Sequence, residues 1–170
     1  VYGHKPMYSS NSYHGSEVEL RSALEALYVN QGVDLVIAGL DHFYERTWPV
    51  AGETVVNYGK DDRFARGYSP IHLVVGIAGR SAYEELDEPQ PEWSAYRENS
   101  TYGWTRLVYD GDAREISFTH YRTDGTIGDQ FVLQEAPLLG ESEDGFLGIP
   151  GFGAMLPMIA MFGAALRRLR

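Results

Sequence analysis

The segment Val33-Asp34-Leu35-Val36-Ile37-Ala38-Gly39-Leu40-Asp41-His42-Phe43-Tyr44-Glu45-Arg46 decides how this chain is read. Residues 33–39 are a short, nearly continuous apolar run, the pattern of a strand buried on both faces. The run opens after Gly39 into the polar sequence Leu40-Asp41-His42. In an open α/β sheet, ligands bind where the carboxyl ends of strands give way to loops. His42 therefore stands at a candidate site. So does His4, which follows an apparent strand end at residues 1–3.

Upstream of that run, Ser16 and Glu19 have the spacing of a capping box. Leu20, Ala23, Leu24, Leu27 and Tyr28 recur at helical spacing, and Gly32 can stop the helix. Downstream, 51–69 reads as a polar loop, 71–78 as a second buried strand, and 84–99 as an acidic, proline-bearing excursion. Residues 104–109 and 115–122 are strands joined at Asp110-Gly111, a hairpin signal. Asp124-Gly125 marks a second turn, leading into a strand at 130–134. A strand–helix–strand opening followed by antiparallel strands predicts an α/β fold, with a mixed β-sheet and flanking helices.

At 170 residues the chain is about one domain long and can bury a sizeable core. With 44% hydrophobic and 22% charged residues, it is no disordered spacer. Fourteen basic against 24 acidic residues give a net charge of −10, so a nucleic-acid partner is not expected. The absence of cysteine excludes a disulfide framework, a thiolate zinc site and a cysteine nucleophile. The chain starts at Val1 inside an apparent strand, which predicts a missing N-terminal part.

All 24 acidic residues precede Phe146, and Arg167, Arg168 and Arg170 close the chain. Residues 135–145 read as an acidic linker and 146–170 as an apolar tail. Residues 146–166 carry no charge and are long enough to cross a bilayer, which takes about 20 residues. This predicts a membrane anchor with its basic end in the cytoplasm and places the protein in the secretory pathway, extracellular or membrane-anchored. A buried C-terminal helix and a cleaved lipid-anchor signal are the alternatives.

Five histidines could carry chemistry: His4, His14, His42, His72 and His120. His72 and His120 fall inside strands and are expected to be satisfied structural residues. Ser9, Ser10 and Ser12 near His14 could suggest a nucleophile, but no G-x-S-x-G pattern surrounds them. The glycines of 148–153 lack the strand, lysine and helix of a phosphate-cradling loop. Glu84-Glu85 and Asp61-Asp62 read as solvated loop charge, and Arg21 and Arg46 as members of exposed ion pairs of little weight. Asn99-Ser100-Thr101 is a glycosylation triplet of the kind that arises by chance.

Taken in order, these segments are more specific. Val1-Tyr2-Gly3-His4 resembles the V-x-x-H block of the purple acid phosphatases, which are metallophosphoesterases with two metals. Tyr13-His14 lies where that family keeps substrate-facing histidines. The segment from Gly39 to Arg46 resembles its G-H-x-H-x-Y-E-R block. Ser69-Pro70-Ile71-His72 through Gly79 looks like its next strand, and Glu88 to Glu98 is similar to its Q-P-x-x-S-A-x-R-E segment. The resemblance covers 1–134.

It implies the C-terminal half of a layered metallophosphoesterase sandwich and an acid phosphatase acting on phosphate monoesters. His4 would ligate the divalent second metal (zinc, manganese or ferrous iron) and His42 the ferric ion. His14 would face the substrate as hydrogen-bond or proton donor. Two cations so placed clamp a phosphate ester and turn bound water into a nucleophile.

Two departures follow. Leu40 occupies the position of a histidine that binds the second metal, and adjacent Asp41 would have to substitute for it. The family's aspartate, G-D-x-x-Y and G-N-H blocks would lie upstream of Val1, so the isolated chain is expected to be inactive. A different reading is a non-catalytic binding or scaffold descendant of the fold, with Leu40 marking the lost metal centre. A third is an anchored ectodomain that acts through its acidic surface. An isolated half would also bare an apolar sheet face, which predicts poor solubility or a homodimer.

Overall fold

The structure, a computed structural model, describes residues 1–82 and 85–136. Helix α1 (Val18–Asn30) follows an extended start, and strand β1 (Leu35–Ala38) comes next. Tyr2 forms an isolated parallel bridge with Ile37, so residues 1–3 lie alongside β1 without forming the expected strand, and the first full elements are helix and strand. Strand β1 pairs in parallel with β6 (Ile71–Val75). The same sheet continues antiparallel through β2 (Tyr44–Thr47) to β7 (Ser94–Glu98).

The second sheet has the order β5 (Arg63–Ala65), β10 (Ile127–Gln134), β9 (Glu115–Arg122) and β8 (Gly103–Asp110). A two-stranded hairpin, β3 (Val50–Ala51) with β4 (Thr54–Val55), completes the described elements. The architecture is the predicted mixed α/β arrangement, with one flanking helix among the described residues rather than several.

The two four-stranded sheets face each other across one core. Phe43, Tyr44, Ile71 and Leu73 come from the first sheet and its loop, and Phe64, Phe118, Phe131 and Leu133 from the second. Phe118 and Phe131 stack with centroids 4.4 Å apart. A smaller cluster of Met7, Tyr8, Val50 and Trp93 lies under Leu20, Leu24 and Tyr28 of α1. Ala23 and Leu27, expected on that buried stripe, are exposed, because the helix packs through the adjacent rows of Leu20, Leu24 and Tyr28 and of Arg21, Glu25 and Val29.

The capping box is not made. Glu17 is the N-cap without a side-chain cap bond, and Ser16 instead exchanges hydrogen bonds with the backbone of Ser9. The hairpin at Asp110 is built as expected, its carboxylate accepting the amides of Asp112 and Ala113.

Two expected loops contain strands. Residues 51–69 hold β4 and β5, and the 84–99 excursion ends in β7. Strands β2 and β7 look polar because Glu45, Arg46 and Glu98 are paired with distant residues inside the protein. Arg46, expected at the surface, is buried between the sheets. Its guanidinium donates to Asp129 from Nε (2.7 Å) and Nη2 (2.9 Å), and Tyr44 Oη donates to the same carboxylate at 2.9 Å. Burial opposes the Arg46 charge, and the bonds and charge of Asp129 more than offset it, so its pKa rises. Asp62, expected to be plain solvated charge, also accepts from Arg46.

His72 is buried, but it is not satisfied. Neither ring nitrogen has a hydrogen-bond partner among the described residues, and the ring lies 4.7 Å from that of Tyr8. Burial, and then the charge of Arg21, push its pKa down to about 3. His120 is half satisfied: Nδ1 meets Thr105 Oγ1 at 3.2 Å, and the ring stacks on Tyr44 at 4.0 Å.

Removing one partner of a buried pair strands the other charge. Asp129→Ala is expected to cost about 3–5 kcal/mol in urea unfolding, and Asp129→Asn less. His72 is neutral in the fold and takes up a proton on unfolding below its usual pKa of 6.5. Its share of stability is therefore complete above about 6.5 and lost as pH falls toward 3, at about 1.4 kcal/mol per pH unit. Urea midpoints at about pH 7.5 and 4.5 should converge in His72→Leu relative to the parent chain.

Candidate active-site edge

The parallel strands β1 and β6 end side by side, and the 39–43 turn crosses over their carboxyl ends. The crossing is close because residue 76 is glycine. A Cβ there would stand 2.0 Å from the Asp41 carbonyl oxygen. The Gly76 amide then donates to the Phe43 carbonyl at 3.2 Å. Leu40 holds φ +60°, a left-handed conformation uncommon for a residue with a γ-branch. The turn is thus fixed by backbone contacts on both sides.

Asp41 sits at its centre and is fully buried. Oδ2 accepts the Ser9 hydroxyl, whereas Oδ1 has no partner among the described residues. Burial raises the carboxyl's pKa. The Ser9 bond and then the nearby charges of His14 and His42 pull it back in part. His42 is half-buried, its Nδ1 3.1 Å from the Ser81 carbonyl. His4 is exposed and lies against Gly39, with its carbonyl accepting the Gly39 amide at 3.1 Å. His14 is also exposed, at the end of the loop that carries Ser9 and Ser10.

That loop is anchored by a carboxylate that sequence reasoning did not single out. Glu45, buried on β2, accepts the Ser10 amide at 2.8 Å, the Ser10 hydroxyl at 2.6 Å and the Ser94 hydroxyl at 2.6 Å. Burial raises the Glu45 pKa, and these bonds oppose the rise. Ser9 and Ser10 are therefore committed as donors to carboxylates and are not nucleophiles. The detectable signal was the acidic residue within the apolar-aromatic run of Phe43 and Tyr44. Its partners, 35 and 49 positions away, gave no such signal.

The sequence-predicted residues thus gather on one edge: His4 against Gly39, with His14 and His42 near Asp41. They do not form a closed ligand set. Among the described residues no three His, Cys, Asp or Glu side chains are grouped to hold a metal ion. Leucine at position 40 offers no lone pair, and the orphaned Asp41 Oδ1 lies buried inside the turn. The residues present do not by themselves fit a two-metal centre.

Comparison with known proteins gives this edge its context. Residues 69–130 match the family described as Iron/zinc purple acid phosphatase-like protein C. Over 155 residues the chain is 35% identical to acid phosphatase type 7 of Mus musculus, covering 81% of this chain and 34% of the mouse protein. The Danio rerio acid phosphatase type 7 is 32% identical over 156 residues, covering 82% and 34% respectively. The solved structure of a purple acid phosphatase from yellow lupin seeds superposes with a TM-score of 0.69 at 23% identity, covering 87% of this chain and 28% of that one.

Fold and sequence alike are similar to those of metallophosphoesterases. More narrowly, the chain is purple acid phosphatase-like, a family that implies a dinuclear metal centre. It spans about one third of the length of the relatives it matches.

Glu45 accepts three donors through two charged oxygens, whereas an amide accepts through one oxygen only, so Gln would keep the Ser10 amide bond only if the Ser10 and Ser94 hydroxyls turn from donors into acceptors. Glu45→Gln should cost about 1–3 kcal/mol. It should also speed hydrogen exchange at the amides of Ser10 and Asn11 more than elsewhere. Uniform loss of protection would show that Glu45 does not specifically anchor this loop.

Proposed function

We propose that this chain carries part of the metal- and phosphate-binding edge of an acid phosphatase acting on phosphate monoesters. The observation that supports it is the gathering of His4, His14 and His42 around the 39–43 turn, in a chain similar over most of its length to acid phosphatases. In this reading His42 ligates a ferric ion, and His4 the second metal, which is zinc, manganese or ferrous iron. His14 faces the phosphate and donates a hydrogen bond or a proton to the leaving oxygen. In this reading the other ligands would come from the stretches of its relatives that this chain does not span. Residues 1–134 are the phosphoesterase part, 135–145 a linker and 146–170 a tail.

The apolar run 146–166 supports a location in the secretory pathway with anchorage in a membrane; it lies outside the described residues. No helix among the described residues is long and apolar enough to cross a membrane. The bared edge of the second sheet supports self-association. A second functional reading, a non-catalytic binding or scaffold descendant, is favoured by Leu40 itself.

Zinc titration by calorimetry, run beside p-nitrophenyl phosphate hydrolysis, tests the assignment. The 170-residue chain should hydrolyse no ester. Leu40→His should raise its zinc affinity at least tenfold, and adding His4→Ala should cancel the gain. Unchanged affinity in Leu40→His would remove His4 and position 40 from one site. Turnover by the unaltered chain would overturn the incomplete ligand set. Two-metal activity in a longer form with Leu40 in place would sink the scaffold reading.

A further inference from the structure

Strand β8 is the outer strand of the second sheet, and among the described residues no strand pairs with its outer edge, where the Gly103 amide donates to the Ile77 carbonyl at 3.3 Å. Its side chains are out of keeping with that position. On the core-facing side, Leu107 stands opposite Phe118 and Tyr109 opposite Ile116. Phe118 is buried, yet Leu107 is 49% and Tyr109 62% exposed. Core-type residues therefore overhang the end of the core. On the other side Trp104 stacks on Tyr121 at 4.7 Å, and Val108 is exposed between Arg106 and Asp110. Beyond Gly103, an exposed edge strand that carries Leu107, Val108 and Tyr109 is a template for another strand.

We propose that a second copy of this chain supplies that strand, β8 pairing antiparallel with β8 about a two-fold axis at Val108. A two-fold interface must be self-complementary, and the sequence of β8 has this property in one register. With Val108 opposite Val108 of the second copy, Arg106 stands opposite Asp110 and Leu107 opposite Tyr109. Directly opposed residues of antiparallel strands project from the same face.

Both copies thus contribute an Arg106–Asp110 ion pair on the outer face, two pairs in all. On the core face, Leu107 and Tyr109 of the two copies cover one another and close the overhang. Arg106 makes no ion pair among the described residues. The Asp110 carboxylate is held in place by the amides of Asp112 and Ala113, which occupy Oδ1 and leave Oδ2 available. The pairing joins the second sheets of two copies into one continuous sheet and removes both free edges.

This inference rests on the self-association proposed above and not on the phosphatase reading. The chain has no cysteine, so Val108→Cys places a single thiol at the axis. A short thiol-specific cross-linker should then double the mass from 19.0 kDa, whereas Thr119→Cys, one strand inward, should stay at monomer mass.

In sedimentation equilibrium, Arg106→Asp and Asp110→Arg should each raise the dimer dissociation constant about tenfold or more, and the double swap should restore it. Circular dichroism checks that each variant keeps its fold. A chain that is monomeric at every soluble concentration would overturn self-association and the pairing together. A dimer indifferent to the single reversals, and not cross-linked at 108, would overturn the β8 pairing alone.

Discussion

One buried ionic contact decides how the two sheets meet. Asp129, on the second sheet, receives the fork of Arg46 and the hydroxyl of Tyr44, both from β2 of the first. A planar guanidinium held bidentate by a carboxylate tolerates little sliding. The same cation lies over the rings of Trp48, Phe64 and Phe131. Burying the pair adds little net stability, since desolvation opposes the attraction. Its effect is to select one alignment of β2 against β10. Because β2 continues directly from the 39–43 turn, that alignment also sets where the histidine-bearing edge stands relative to the core.

The clamp also explains which parts of the fold were legible in sequence. Strands β1, β6, β8, β9 and β10 announce themselves by apolar runs or by turns of the Asp-Gly type. Strands β2 and β7 do not, because Tyr-Glu-Arg-Thr and Ser-Ala-Tyr-Arg-Glu read as surface when their partners are unknown. Their polar groups are satisfied by residues far away in the chain: Asp129 for Arg46, Ser10 and Ser94 for Glu45, Arg122 for Glu98. Local composition cannot encode a partner 83 positions distant. His72 was misjudged for the converse reason. A histidine in an apolar strand suggests a hidden partner, and its ring instead meets that of Tyr8.

At the candidate site, motif order singles out His4, His14 and His42, but the side chains that frame their edge carry no such signal. Asp41 stands beside His42 in sequence, yet it turns inward to Ser9, so adjacency along the chain does not make it a substitute for the residue at 40. Ser10 and Glu45 fix the loop from the opposite side. The edge has an ordered frame, and among the described residues its histidines and Asp41 do not close into a metal-binding group.

Gly76 carries a consequence of a different kind. It has no side chain to take part in chemistry, and it lies at the end of a strand that supplies no proposed ligand. Yet any substituent on its α-carbon would occupy the space of the Asp41 carbonyl and push the 39–43 turn outward, taking Asp41 and His42 with it. Inherited variation should therefore be as sparse at this silent position as at the histidines. A survey of natural variants that ranked residues by chemical reactivity alone would overlook it.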